Sequence, residues 1–261
     1  MNKVAVILQK EWLELRQDRT LVLTTLLLPL FLTVLPIVIV YVAGRTPDDE
    51  IGQLGAAAAD PSLTGMTTVE LGQAIIGRQF GTLFLLMPLV VPNIIAAYSI
   101  VGEKTRRTLE PLLATPLRTW ELLLGKSLGA LVPPMAITWL CAGVFIAGMA
   151  VVSVTPRVFT AIVGPAWLLL VALCAPLLGL LAVAATVFIS SRVNDPRTAQ
   201  QVSGVVVVPL LAVFFGQLSG VLVLSPALAL GCAAVLALLA ALAMWGATWL
   251  FQREVILTRW R

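Results

Sequence analysis

Five long stretches of this sequence contain no charged residue, and they constrain the fold more than any other feature. They cover residues 20–44, 79–102, 127–156, 158–191 and 198–252. A helix of about 20 apolar residues crosses the bilayer core, which is about 30 Å thick. Each of the first four stretches therefore predicts one span, and the fifth is long enough for two. Ser225-Pro226 divides the fifth stretch, because proline suits the first turn of a new helix.

The stretches predict an all-α integral membrane fold with six transmembrane helices in a single domain, 1–261. The composition agrees, since 59% of the residues are hydrophobic and only 11% are charged. Soluble domains have about 45–50% apolar and about 25% charged residues. No long polar stretch remains from which a soluble domain could form. The predicted spans are 21–43, 79–101, 128–152, 161–188, 202–223 and 227–250.

The distribution of lysine and arginine predicts the orientation. If the N-terminus lies inside, 14 of the 17 basic residues fall in inner segments, and only Arg45, Arg78 and Arg157 fall outside. Short cytoplasmic loops carry such an excess of positive charge. We therefore expect a multi-pass protein of the cell membrane with both termini in the cytoplasm. This topology also accounts for the basic pI of about 9.3, so the charge does not indicate a nucleic-acid partner.

Residues 1–19 precede the first span and predict an amphipathic helix in the inner membrane interface. Apolar residues recur there at helical spacing, and charged residues occupy other positions around the helix. The apolar positions are Val4, Leu8, Trp12 and Leu15, and the charged ones include Lys3, Lys10, Glu11 and Glu14.

The first outer loop, 45–78, is the longest outer connection. Thr67 or Thr68 can cap a short helix that has Glu70 in its first turn. Two interpretations stay open for this segment: a substrate gate, or a solvated loop with an interfacial lead-in to the next span.

The residue inventory argues against an intramembrane enzyme. The chain has no histidine, and the predicted spans contain no aspartate or glutamate, so metal ligands and catalytic bases are missing at depth. Gly125-Lys126-Ser127 resembles the end of a phosphate-binding loop, but Trp120 stands where the first glycine belongs. We therefore expect neither a cofactor nor a metal in this chain.

Gly125-x-x-x-Gly129 and Gly216-x-x-x-Gly220 are candidate helix-packing faces.

Asn93 and Gln217 are the main polar candidates within the predicted spans. Either residue can line a transport pathway or serve packing; Asn93 follows Pro92 and can contact a backbone carbonyl that the proline leaves without a donor. Ion-coupled transporters usually carry carboxylates or broken helices at the midplane. Since the predicted spans contain no carboxylates, energy for uphill transport has to come from a partner.

The loop 103–119 lies between the second and third predicted spans and carries a short predicted helix. Thr108 can cap a helix that begins at Leu109, with Glu110 in its first turn, and Pro116 ends it. Leu109, Leu112 and Leu113 share one face at i, i+3 and i+4. An apolar face within a charged loop predicts a docking element.

This loop resembles the corresponding loop of type 2 permeases of ATP-binding-cassette transporters. The resemblance rests on Glu103-Lys104-x-x-x-Thr108-Leu109-Glu110-x-Leu112-Leu113-x-Thr115-Pro116, followed by Gly125-Lys126, and on Lys10-Glu11 with Arg16 and Arg19 near the N-terminus. It implies that the loop carries a coupling helix, which docks on a separate ATPase subunit that holds ATP and magnesium. It also implies a second permease copy or a paralogue, and export, or flipping of an amphipathic substrate, by alternating access. The implied coupling residues are Glu103, Thr108, Leu109, Glu110, Leu112, Leu113, Thr115 and Pro116.

A second function class remains open: a membrane scaffold or mechanical transducer that couples an ATPase to an external partner without passing substrate. The short outer loops argue against this class, because they offer little surface for such a partner.

Overall fold

A computed structural model of the chain describes residues 3–17, 19–45, 63–105, 119–190, 193, 195–219 and 222–250. Helices make up nearly all of these residues, and none of them forms a strand. The α-helices are α1 (Lys3–Gln17), α2 (Arg19–Ala43), α3 (Thr68–Leu83), α4 (Leu86–Thr105), α5 (Thr119–Val152), α6 (Pro156–Ile162), α7 (Pro165–Leu169), α8 (Ala175–Ser190), α9 (Pro196–Ser203), α10 (Val207–Leu218) and α11 (Pro226–Leu250). A π-helical turn, Leu170–Cys174, joins α7 to α8, and a 3-10 turn, Gly204–Val206, joins α9 to α10.

Six helical segments among the described residues are long and apolar enough to cross a membrane, which confirms the predicted fold class. They are Thr25–Ala43, Thr68–Ser99, Leu124–Val152, Pro156–Ser190, Pro196–Leu218 and Pro226–Gly246. The second segment begins well before residue 79, because α3 and α4 follow each other closely, and it carries Glu70 and Arg78. The third segment includes Lys126. Glu70, Arg78 and Lys126, which lie outside the charge-free stretches, therefore belong to membrane-length helices.

Proline explains two of the places where the helices change geometry. Pro88 has no N–H group with which to bond the carbonyl of Phe84, and the chain makes a turn at Phe84 and Leu85 before α4. Pro176 likewise cannot bond the carbonyl of Ala172, and the π-helical turn lies directly before it. The indole of Trp139 on α5 donates to the carbonyl of Val171 within this turn at 3.4 Å.

Polar side chains cap the starts of α3, α9 and α11, and in α11 the Ser225 hydroxyl accepts from the backbone N–H of Leu228 at 3.1 Å. Thr67 and Glu70 form a capping box at the start of α3, in which each side chain bonds the backbone N–H of the other residue. Asp195 accepts from the backbone N–H of Thr198 at 2.8 Å at the start of α9. That hydrogen bond, together with one from the Thr198 hydroxyl, holds the pKa of Asp195 below its usual range.

Helix α3 packs mainly against α2 and α6. Trp167 of α7 donates its indole N–H to the carbonyl of Gly81 at 3.0 Å. The Trp167 ring stacks on Phe145 of α5, with 5.1 Å between ring centroids, and meets Phe84 edge-on at 5.7 Å. A second core region forms where α4 packs against α8, through residues such as Val91 and Val183.

The two ends of the bundle are distinct. The N-terminal side holds α1, the end of α4, and the starts of α5 and α9. The far side holds the end of α2, the start of α3, the end of α5, and α6. Large apolar side chains remain exposed along the bundle surface between these ends, for example Leu27, Leu140 and Trp245. Such a surface suits contact with lipid chains.

Candidate functional site

Most of the residues predicted to couple to an ATPase lie outside the described residues. These are Thr108, Leu109, Glu110, Leu112, Leu113, Thr115 and Pro116. Glu103 lies near the end of α4, where the backbone alone is described. The structure does describe the two helices that flank this segment, since α4 ends at Thr105 and α5 begins at Thr119. A buried polar cluster joins these flanking helices to α1.

The cluster centres on Lys126 near the start of α5. The Nζ atom of Lys126 lies 2.9 Å from Oε1 of Glu11 in α1 and 3.1 Å from Oγ of Ser99 in α4. The Ser99 hydroxyl donates to Oε2 of Glu11 at 2.7 Å, and the Ser99 carbonyl accepts from Lys126 at 3.3 Å. The side chains of Lys126 and Glu11 are only 4% and 6% exposed. We call Glu11, Ser99 and Lys126 the α1 junction.

Burial makes this junction a strong constraint on α1. Removing a charged group from water costs several kcal/mol even after the protein relaxes, so each ion needs its partner and further hydrogen bonds. The junction supplies both, since Ser99 bonds the carboxylate and the ammonium together. If α1 moved away from α5, the buried ion pair between Glu11 and Lys126 would have to break. The geometry therefore favours a fixed register between α1, α4 and α5.

Two glycines on α5 allow α1 to approach closely enough for this contact. A Cβ atom added at Gly125 would lie 2.7 Å from Cγ2 of Ile7, and one added at Gly129 would lie 2.9 Å from Cβ of Glu11. Real Cβ atoms do not come so close to neighbouring carbons. Ile7 and Glu11 are one helical turn apart, as are Gly125 and Gly129. One face of α1 therefore packs over the two glycines, with Lys126 beside them.

The structure corrects the interpretation of Glu11 and explains the motif around Lys126. The sequence pattern groups Glu11 with the polar residues of α1, yet its residue exposure is 7% and it lies against α5. Trp12, which the pattern assigns to the apolar face, is 46% exposed. In Gly125-Lys126-Ser127, the glycine allows close packing against Ile7 and the lysine forms the buried ion pair with Glu11. The sequence signal for this contact is a lone lysine between two glycines at the start of a span, because a buried lysine needs an acidic partner.

Asn93 connects three helices. Its Oδ1 accepts from the hydroxyls of Thr186 in α8 at 2.7 Å and Ser203 in α9 at 2.6 Å. Its Nδ2 donates to the carbonyl of Gln200 at 3.3 Å. Asn93 therefore contacts a backbone carbonyl, but that carbonyl belongs to a neighbouring helix and is not the one that Pro92 leaves without a donor. Asn93 is 6% exposed, and the geometry of its bonds suits a role in packing.

Gln217 joins α10 to α3. Its Oε1 accepts from the hydroxyl of Thr82 at 2.6 Å. Gln79, about one turn earlier on α3, donates to the carbonyl of Phe214 at 2.9 Å. Within the part of the chain that the structure describes, the buried Nε2 of Gln217 has no hydrogen-bond partner. The two predicted polar candidates thus lie in separate places, Asn93 between α4, α8 and α9, and Gln217 between α3 and α10.

A second polar cluster closes the far side. Gln73 is fully buried; its Nε2 donates to the carbonyl of Val40 at 2.8 Å, and its Oε1 accepts from the N–H of Val154 at 3.0 Å. Glu70 accepts from the hydroxyl of Thr155 at 2.7 Å. These bonds tie α3 to the ends of α2 and α5. The start of α3 is therefore packed into the bundle, which favours a structural role over that of a freely moving gate.

The match to a protein family decides the broad identity. A family model described as ABC-2 family transporter protein matches residues 5–231. The chain belongs to this family. The match includes nearly all of α1, the loop 103–119 and the first turns of α11, so it covers every residue of the α1 junction. No curated protein matches the chain.

Membership defines this ABC-2 transporter protein as a membrane transport subunit that is not itself catalytic, and it implies work with an ATP-binding-cassette ATPase. The six membrane-length helices agree with a multi-pass subunit.

Proposed function

We propose that this chain is the permease subunit of an ATP-binding-cassette exporter. A separate ATPase subunit, which holds ATP and magnesium, drives alternating access through the loop 103–119, and a second permease copy or a paralogue completes the membrane part. The family match over residues 5–231 carries this proposal.

The arrangement of charge in the folded chain supports the proposed orientation. Arg45 follows α2, and Arg78 and Arg157 line one cavity of about 670 Å³ on the far side. These are the three basic residues that the charge count assigns to the outside. Lys10, Arg19, Lys126 and Arg197 belong to helices at the N-terminal side. This separation of basic residues between the two sides favours an orientation with both termini in the cytoplasm.

Purification from native membranes tests the proposal. A tagged chain should co-purify with an ATPase subunit, and the complex should hydrolyse ATP in a vanadate-sensitive way. The chain alone should show no hydrolysis above background, because its only resemblance to a phosphate-binding loop is the packed Gly125-Lys126 segment. ATP turnover by the isolated chain, or a chain that purifies without any ATPase, would contradict the proposal.

A further inference from the structure

The α1 junction lies close to both ends of the loop that is proposed to receive the ATPase. Ser99 is six residues before the end of α4, and Lys126 is seven residues after the start of α5. At about 1.5 Å per residue, each is roughly 10 Å along its helix from the loop. Glu11 contacts both residues, so α1 bridges the two helices that carry the loop.

Three independent contacts make this bridge stiff. The glycine face of α5 lets Ile7 and Glu11 pack without intervening side chains. The Lys126–Glu11 ion pair is buried. Ser99 bonds both charged groups and thereby adds α4 to the same cluster. Water can replace either partner of an exposed ion pair, but a buried cluster of three hydrogen-bonded residues resists opening.

We propose that α1 and the adjoining ends of α4 and α5 move as one rigid unit when the ATPase acts on the loop, and that Glu11, Ser99 and Lys126 are the positioning residues that hold this unit together. The inference rests on the proposed function, since it concerns how force from an ATPase enters the bundle. It assigns α1 a role beyond membrane anchoring: α1 spreads the displacement of the loop over a wider part of the bundle. The opposite mechanism, in which α1 separates from α5 during the cycle, requires the buried pair to break in every turnover.

A reversible covalent lock distinguishes the two mechanisms. A Cβ atom at Gly125 would lie 2.9 Å from Cβ of Ile7, and disulfides need about 3.5–4.5 Å, so a shift of about 1 Å accommodates the bond. The variant Ile7→Cys/Gly125→Cys is made in a chain whose Cys141, Cys174 and Cys232 are replaced by alanine. The complex with its co-purified ATPase is placed in lipid nanodiscs, and vanadate-sensitive ATP hydrolysis is measured before and after oxidation.

We expect the oxidised and reduced complexes to hydrolyse ATP at rates within twofold of each other. In the same background, Glu11→Gln should lower hydrolysis at least tenfold while the ATPase still co-purifies. Oxidation of Ile7→Cys/Gly125→Cys combined with Glu11→Gln should restore the rate to within twofold of the unmutated junction, because the disulfide replaces the ionic contact. A residue important only for folding would show no such rescue.

The same helix offers a matched control. Lys10 and Glu14 form an ion pair of 3.2 Å whose side chains are 39% and 53% exposed, and Glu14→Gln should change hydrolysis less than twofold. A tenfold loss on oxidation of the otherwise unmutated complex, reversed by reductant, overturns the inference, because α1 would then have to separate from α5. Full activity of Glu11→Gln overturns it as well. If Glu11→Gln fails to fold, the lock in the unmutated junction still decides. Failure of the parent chain to co-purify with an ATPase contradicts the proposed function instead.

Discussion

Lys126 and Glu11 each carry a buried charge, so removing one of them destabilises the fold by leaving the other charge without its counter-ion. We expect Lys126→Met to destabilise the protein by about 3–5 kcal/mol, because it leaves the Glu11 carboxylate buried without a counter-ion. Replacing both residues, as Glu11→Met/Lys126→Met, should recover most of that loss, since apolar side chains often substitute for a buried pair without cost. Thermal unfolding in detergent measures both variants. A double variant no more stable than Lys126→Met alone would contradict this account.

Asn93 is a residue whose role the sequence narrows to two alternatives without deciding between them. The sequence indicates an amide beside a proline at membrane depth, which is compatible with packing and with a pathway. The structure shows which groups the amide contacts: two hydroxyls and one carbonyl on neighbouring helices. Those contacts depend on the placement of α8 and α9, which no feature near residue 93 determines.

At the scale of helices, the approach of α1 to α5 depends on the two glycines at their crossing. We expect Gly129→Val to displace α1, because the added carbons would overlap the side chain of Glu11. Cross-linking yield between cysteines at Ile7 and Gly125 measures the displacement and should fall several-fold. Gly143→Val on the same helix is the control, because a Cβ atom there would meet nothing within 4 Å. An unchanged yield in Gly129→Val would show that the glycine face does not set the distance between the helices.

The helices themselves follow from local signals. Charge-free length predicts the number of membrane segments, although it misses the part of the second segment that carries Glu70 and Arg78. The Thr67–Glu70 pair predicts the start of α3, and Pro226 predicts the start of α11. Each signal lies within a few residues of the structure that it specifies. The α1 junction does not, because Glu11 and Lys126 are 115 positions apart and the helices between them decide whether they meet. The glycine pair on α5 could be identified as a packing face from the sequence, but not its partner.

For the molecule as a whole, the charge distribution predicts which side faces outward. In a chain without native cysteines, Val154→Cys should react with a membrane-impermeant maleimide in intact cells, because Val154 is 56% exposed on the far side. Glu14→Cys on α1 should react only after the membrane is permeabilised. The reverse pattern would place both termini outside and would remove the loop 103–119 from the reach of a cytoplasmic ATPase.

The predicted coupling helix links the whole molecule to its proposed partner, and Leu113 tests it most directly. Leu112 and Leu113 are apolar residues in a charged loop, and burying a leucine side chain stabilises a contact by about 1.5–3 kcal/mol. Since about 1.4 kcal/mol changes an affinity tenfold, two leucines can account for much of a modest docking affinity. Leu113→Asp places a charge in that contact, where it is costly unless paired.

We therefore expect Leu113→Asp to insert into the membrane at near-normal levels, because the change lies outside the predicted spans, but to lose the ATPase during purification or to keep it without vanadate-sensitive hydrolysis. Arg118→Ala in the same loop should have a much smaller effect, because we expect a single charge in this loop to contribute little. Membrane levels, co-purification and hydrolysis are measured on the same preparations. If Leu113→Asp retains both the ATPase and its activity, the loop 103–119 is not the coupling element. Force would then have to enter the bundle elsewhere, and the α1 junction would lose its role in transmitting it.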